Sequence, residues 1–407
     1  MGMPFTVTNV ICRFNSASGG PPRTVCMMSH ASVGHWRAEL FTTDYCVGAH
    51  DTLLLDQYRG HVNIMARNAQ GVAGGLLRMI RLFRSYEAQL LRGVAPDLIH
   101  IHGVWSPMLA AFASSAVRNG IPYIVAPHGM LEPWSLNVHR LRKSLALGTY
   151  QGKLLADAAA IHATSVQEAR HLRVLPCVRS PVYVVPNAVD FPPDAVANAA
   201  ACATDAAPRT NVLLFLSRVH PKKGVELLLR AWNELRPGGW QLNIVGQGNP
   251  GYVAGLKRWC AERRVPGVFF LSHVDGDQRE AMFREASALV LPTYSENFGN
   301  VVAEAMARGI PVITTTGTPW SALKEHRCGW YIEPTAAALQ TALGELVTTD
   351  AQQRAAMGRR GRAYALKSFS IEAVRKALLQ MYHGVLGRQS GPTPAAGSAE
   401  DEFRSVG

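Results

Sequence analysis

The chain of 407 residues contains no apolar run near the roughly 20 residues that cross a bilayer, so no membrane-spanning helix is expected. Cysteine is sparse and unpatterned. Cys12, Cys26, Cys46, Cys177, Cys202, Cys260 and Cys328 stand singly, without a C-x-x-C pair. That excludes a zinc knuckle and a disulfide framework, and the odd number fits reduced thiols in a cytosolic protein, most of them small core residues. No block of Lys/Arg, no RNP-type aromatics and no Cys/His finger occur, so nucleic acid is not an expected partner. The Walker pattern G-x-x-x-x-G-K-[ST] is absent too. The opening residues MGMPFTVTNVICRFNS lack the basic-then-apolar signature of a secretory signal, and Gly2 with Thr6 makes only a partial myristoylation pattern. Acids are in deficit, 29 against 41 Lys and Arg, for a net charge of +12. Such an excess favours phosphate-bearing partners or an anionic membrane surface.

What is present is a globular composition, 48% hydrophobic, long enough for two domains at roughly 150 residues each. Short apolar runs in the first half read as buried parallel strands: FTVTNVIC, AELFTT, DLIHIHG, IPYIVAP, AAIHATS and VYVVPNAV. Helical patterns such as GGLLRMIRLFRSYEAQLLRGV lie between them. An Ala-rich, Pro-flanked stretch follows and reads as a linker. A second series then runs NVLLFLSRV, WQLNIVG, GVFFLSHV, SALVLPTYS and IPVITTT, again with helices between. Strands alternating with helices imply parallel sheets covered on both faces, hence an α/β chain of two Rossmann-like domains. The expected division is residues 1–192, a linker at 193–210, a second domain at 211–387 whose last helix can pack back on the first, and a disordered tail at 388–407. In such folds ligands bind beyond the carboxyl ends of the strands, here the cleft between the domains.

Four stretches can carry chemistry there. YSENFGNVVAEAMARGIPVI sets Glu296 on a loop and Glu304 inside the helix that follows. Gly299, Asn300, Val301 and Val302 would turn free backbone N–H groups toward an anion, and Glu304 could accept from ribose hydroxyls. Helix capping by Asn297 is the plain alternative. In SRVHPKKG, Arg218 and Lys223 flank a strand-to-helix loop, where cations can hold a diphosphate and stabilise its departing charge. His128 in PHGML ends a strand of the first half, beside Gly129. Gly19 and Gly20 in SASGGPPRTV open the first helix and allow a ligand close to the backbone. Two further patterns read as decoys. Gly246, Gly248 and Gly251 form a G-x-G-x-x-G, but on the second strand of their domain rather than the first. Asp275 and Asp277 form a D-x-D that opens a helix, where capping is the expected role.

Together these residues resemble glycosyltransferase family 4, the retaining GT-B enzymes of bacterial surface-polysaccharide assembly. SENFGNVVAEAMARGIPVI is similar to the paired-glutamate motif, SRVHPKKGVELLLRAW to the Arg-(four residues)-Lys-Gly element, and HGMLEPW and VVPNAVDF add weaker support. The resemblance implies a nucleotide-sugar donor, GDP-mannose or a UDP-sugar, and a sugar or lipid-linked acceptor, with no cofactor and no metal. Arg218 and Lys223 would grip the donor diphosphate and Glu304 the ribose. Glu296 and the amides from Gly299 to Val302 would hold the sugar and nearby phosphate, with His128 on the acceptor side. Gly19, Gly20 and Gly246 would border the donor. Asn297 and Asn300 depart from the family, which often has Gly or Pro and an aliphatic residue there. The rival readings are a non-catalytic sugar-nucleotide-binding protein, a GT-B phosphorylase or epimerase, and an NAD-dependent oxidoreductase resting on the lone glycine motif. A cytoplasmic protein peripheral to the inner membrane face is expected. Leu77, Ile80, Phe83 and Leu91 flanked by Arg78, Arg81 and Arg84, and the HRLRK run from His139 to Lys143, would touch the lipid.

Overall fold

A computed structural model of the chain describes residues 5–14, 19–43, 55–65, 95–192 and 210–387. The expected linker up to residue 209, the expected tail, and the pattern from Leu77 to Leu91 expected to touch lipid lie outside these residues. Apolar runs of four to seven residues with no polar alternation can only be satisfied when both sheet faces are covered. Two sheets result. The first has seven parallel strands: β1 (Thr6–Ile11), β2 (Arg37–Thr43), β3 (His61–Met65), β4 (Leu98–His102), β5 (Tyr123–Ala126), β6 (Ala160–Ala163) and β7 (Val182–Val184). Their spatial order is β3-β2-β1-β4-β5-β6-β7. The second has six: β8 (Val212–Leu216), β9 (Gln241–Val245), β10 (Val268–Leu271), β11 (Ala288–Leu291), β12 (Val312–Thr315) and β13 (Gly329–Ile332), in the order β10-β9-β8-β11-β12-β13.

Both orders reverse beside the first strand of the sheet, between β1 and β4 and between β8 and β11. Loops diverge there and leave a crevice at the strands' carboxyl ends. The residues at those ends, Arg218 after β8 and Glu296 after β11, are thereby brought together although they stand 78 positions apart in the sequence. Each sheet has its own apolar core. The second packs Leu214, Phe215, Trp232, Ile244, Leu289 and Ile313 among others. The last helix, Ile371–Leu386, leaves that core and lays Val374, Leu378, Met381 and Tyr382 against Phe5, Val7, Trp36 and Leu98 of the first sheet. The sequence reading missed β3 and β13. Both are edge strands, and β13, GWYI, is only partly buried, so neither carries the apolar run that marks the central strands.

Candidate active site

The loop after β8 is locked to the loop after β11 by backbone and side-chain contacts together. His220 Nδ1 accepts from the Lys222 N–H (3.1 Å), which starts the short 3-10 turn Pro221–Lys223. Gly224 then takes φ +70°, and a Cβ there would overlap the Pro292 carbonyl oxygen. The Lys222 carbonyl accepts from the Tyr294 N–H (2.9 Å) and from Thr293 Oγ1 (3.0 Å). The Lys-Gly pair is therefore a docking element as well as a charge. Lys223 is buried and its Nζ pairs with the Glu296 carboxylate. Arg218 is exposed and makes no ion pair among the described residues. Lys222 Nζ lies 4.4 Å from the centre of the Trp134 ring, which the first domain supplies. His220 reports the field of these cations. Partial burial and then Arg218, Lys222 and Lys223 hold its imidazole below the ordinary histidine pKa.

The helix Asn300–Ala307 begins at Gly299 (φ +76°), with no side-chain cap. Capping by Asn297, the plain alternative for this stretch, does not occur; its side chain turns away. The Val302 N–H donates to the Gly299 carbonyl (2.8 Å), so of the four amides expected to be free that one is engaged. The amides of Asn300 and Val301 point along the helix axis with no acceptor among the described residues. Opposite stands the helix Gly20–Ser32, opened by Gly19 (φ +87°). A Cβ on Gly20 would sit 3.5 Å from Asn300 Nδ2, so the two helix heads face each other. Neither has an acid in its first turn. Two converging positive helix ends and the nearby cations make a site suited to a doubly charged anion.

Glu304 lies behind this site, buried, paired with Arg279 and 3.8 Å from Arg23 Nε of the first domain. Burial alone would raise its pKa; Arg279, Arg23 and Arg308 outweigh that and hold it at about 2. Gly246 takes φ +147°, its N–H donates to the Leu271 carbonyl (3.2 Å), and a Cβ would overlap the Ser217 carbonyl oxygen. A Cβ on Gly248 would overlap the Val219 carbonyl oxygen in the same way. These glycines thus let two backbone loops touch, which is a sufficient reason for the G-x-G without a dinucleotide. Asp275 occupies the N-cap position but does not cap. Its carboxylate pairs with His273 Nε2 (2.8 Å).

Asn297 and Asn300 reach across the cleft. With its Nδ2 turned to Glu168, the Asn297 amide donates to Oε2 (2.9 Å) and Oε1 (3.2 Å), while its oxygen accepts from Thr164 Oγ1 (2.8 Å). Glu168 also accepts from the N–H groups of Gly129 (2.6 Å) and Thr164 (2.7 Å), and burial raises its carboxyl to about 7. A Cβ on Gly129 would overlap Asn297 Cβ. Asn300 Oδ1 accepts from Asn187 Nδ2 (2.7 Å). The two domains are clasped shut by the same residues that depart from the family pattern. Replacing both Asn297 and Asn300 by Ala is expected to open the ligand-free protein, seen as a larger radius of gyration in small-angle scattering. An unchanged radius would show that the two amides do not hold the closed form.

His128 sits at φ +52° just after β5 and stacks on His102, ring centres 5.3 Å apart. Burial, and then His162, lowers its pKa to about 3. Arg23, Arg279, Asn187 and Glu168 were not singled out from the sequence. Each meets the cleft through a long-range contact, and no local spacing marks it.

Comparisons with known proteins bear on the family and the fold. Residues 203–364 match the model of glycosyl transferases group 1, and residues 19–188 match a glycosyl transferase 4-like domain. A D-inositol 3-phosphate glycosyltransferase of Streptomyces scabiei is 30% identical over 306 residues, 70% of this chain and 67% of that one. The enzyme of the same description from Nocardia farcinica is 29% identical over 260 residues, 60% of this chain and little more than half, 57%, of its own length. Among solved structures, sucrose-phosphate synthase of Thermosynechococcus elongatus superposes with a TM-score of 0.72 at 20% identity, covering 94% of this chain and 99% of that one. Anabaena HepE, determined with UDP and glucose, also reaches 0.72, at 18% identity, covering 93% and 100%.

Proposed function

Because the chain belongs to the group 1 glycosyl transferases, two-domain enzymes of GT-B architecture, we propose that it moves a hexose from GDP-mannose or a UDP-sugar to a sugar or lipid-linked acceptor, with retention, in surface-polysaccharide assembly. The observation that carries the proposal is that the Lys223–Glu296 pair lies beside Gly299, which brings the loop of Arg218 and Lys222 next to the acid-free head of the Asn300 helix, itself facing the acid-free head of the Gly20 helix. Leaving-group charge on a diphosphate grows in the transition state, so fixed positive groups there stabilise it more than the ground state. The departing phosphate takes the acceptor's proton on the same face. Glu296, held by Lys223, orients the sugar, and Glu304 accepts from the ribose. Incubation with a panel of sugar nucleotides, with nucleotide release as readout, tests the activity. Release from one donor is expected. Binding without release from any donor favours a non-catalytic protein instead.

The same cations carry the charge that a divalent ion would supply, so transfer is expected to survive EDTA. Activity lost on chelation and restored by manganese contradicts this.

A lipid-linked acceptor has to be met at a membrane surface. The helices Pro133–Asn137 and Arg140–Ala146, next to the cleft, are amphipathic in a way that suits one. Leu141 is 87% and Leu145 71% exposed, with Trp134 and Val138 beside them. Arg140, Arg142 and Lys143 stand among them, and no acid occurs between Pro133 and Ala156. Each basic residue near an anionic surface contributes about 1 kcal/mol. Co-sedimentation with phosphatidylserine vesicles at low salt is expected, weakening with added salt. It is expected to be lost when Leu141 and Leu145 are changed to Ser. Failure to bind at low salt, or binding that ignores both substitutions, contradicts the membrane reading.

A further inference from the structure

Four histidines, His100 and His102 of β4, His128 after β5 and His162 of β6, meet at the carboxyl edge of the first sheet, and their hydrogen bonds determine where each proton sits. The Glu39 carbonyl can only accept, so the Asn9 amide turns its Nδ2 to it (3.3 Å). That leaves Asn9 Oδ1 facing His102 Nε2 (3.0 Å). An amide oxygen accepts, so His102 carries its hydrogen on Nε2 and leaves Nδ1 bare. Its Nδ1 lies 3.0 Å from His128 Nε2. His128 must therefore donate from Nε2, and its own Nδ1 is a bare acceptor with no donor aimed at it among the described residues. The second pair obeys the same logic. Val185 carbonyl accepts from His162 Nε2 (2.8 Å), His162 Nδ1 accepts from His100 Nε2 (3.2 Å), and His100 Nδ1 accepts from Tyr382 Oη (3.1 Å).

We propose that Asn9 and His102 are positioning residues that fix His128 in its Nε2–H tautomer, so that it offers the cleft a hydrogen-bond acceptor for a substrate hydroxyl rather than a proton or a positive charge. The inference rests on the transferase reading above for the identity of that substrate, but not for the tautomer. Asn9 and His102 are both buried and neither reaches the cleft itself, so their effect on substrate passes through His128. A cationic His128 is opposed by burial and then by His162. Its titratable neighbours are His102, stacked on it, and His162, edge-on at 6.5 Å. His100 stacks on His102 at 4.3 Å. Beyond Asn9 stand Glu39 and the Tyr58 hydroxyl (3.3 Å from Asn9 Nδ2), and Tyr382 closes the far end. A second proton on His102 Nδ1 or His162 Nδ1 would set two donors face to face, whereas at His128 Nδ1 it is burial that opposes one.

Nitrogen-15 NMR of imidazole-labelled protein reads the tautomer without any assay of transfer. His128 is expected to show a protonated Nε2 and a bare Nδ1, unchanged between about pH 8 and pH 5, a range in which a free histidine titrates. Asn9→Leu removes the acceptor behind His102. It should mix the His128 tautomers and lower transfer about tenfold through kcat, the worth of one hydrogen bond. Asn9→Asp keeps an acceptor and should restore the Nε2–H signal. Its carboxylate also favours the charged imidazole, so an acid limb should enter its pH profile at mildly acidic pH. A His128 that carries its hydrogen on Nδ1, or titrates near neutrality in the wild type, overturns the proposal. So does an Asn9→Leu spectrum identical to wild type. The predicted NMR pattern in a protein that releases no nucleotide from any donor leaves the tautomer standing and removes the transferase reading instead.

Discussion

Arg218→Ala is expected to lower turnover by about two to three orders of magnitude, the usual loss when one preorganised charge-stabilising group is removed. Arg218 is exposed and has no ion-pair partner among the described residues, so the fold should hardly notice. Unfolding free energy should move by less than about 0.5 kcal/mol. Lys223→Ala is expected to cost similar activity but also stability, because it strands Glu296 beside a partly buried site. The pair of variants therefore separates chemistry from folding. Measured kcat and thermal midpoints check both. Wild-type turnover in Arg218→Ala removes the diphosphate assignment whatever Lys223→Ala does.

The second large effect concerns the two acids, which the structure treats differently. Glu304 is buried among arginines, Glu296 pairs with a lysine at the cleft. Glu304→Gln is expected to weaken binding of the free nucleoside diphosphate at least tenfold, since a ribose needs the carboxylate as acceptor. Glu296→Gln is expected to damage transfer and leave that affinity nearly intact. Calorimetric titration of both variants with UDP and GDP decides it, and equal losses of affinity refute the division of labour. Glu304 also links stability to pH. Its folded pKa, about 2, lies below the ordinary 4.5. Its contribution is therefore complete above about 4.5 and lost as pH falls toward 2, amounting to about 3 kcal/mol. Acid unfolding of Glu304→Gln should show a correspondingly weaker dependence in that window.

The central strands were legible because a buried parallel strand must be apolar on both faces, and nothing else in a chain of this composition repeats that way. The motifs at their ends were legible for a related reason. A strand's carboxyl end at a switch point is where the fold leaves a crevice, so position after a strand is enough to put Arg218, Glu296 and His128 there. Edge strands such as Gly329–Ile332 are half wet and carry no such mark. Local rules misled at two helix starts. Asp275 has the residue type and position of a cap, and Asn297 the residue type two positions before the cap Gly299, yet each spends its side chain elsewhere, on His273 and on Glu168. Capping contributes about 1 kcal/mol, and a buried carboxyl or a nearby imidazole competes at that scale. Arg279, Arg23 and Asn187 were illegible because their roles depend on which loops the two sheets bring face to face. Sequence periodicity says nothing about that.

The account turns on the claim that the facing heads of the Gly20 and Asn300 helices, with Arg218 and Lys223, form a diphosphate socket. Titration calorimetry with a nucleoside diphosphate and its monophosphate, in wild type and in Arg218→Ala, tests this directly. The predicted result is that UDP or GDP binds at least tenfold more tightly than UMP or GMP, and that Arg218→Ala erases most of the difference. Equal affinities for diphosphate and monophosphate in the wild type, or a preference that survives in Arg218→Ala, would contradict it.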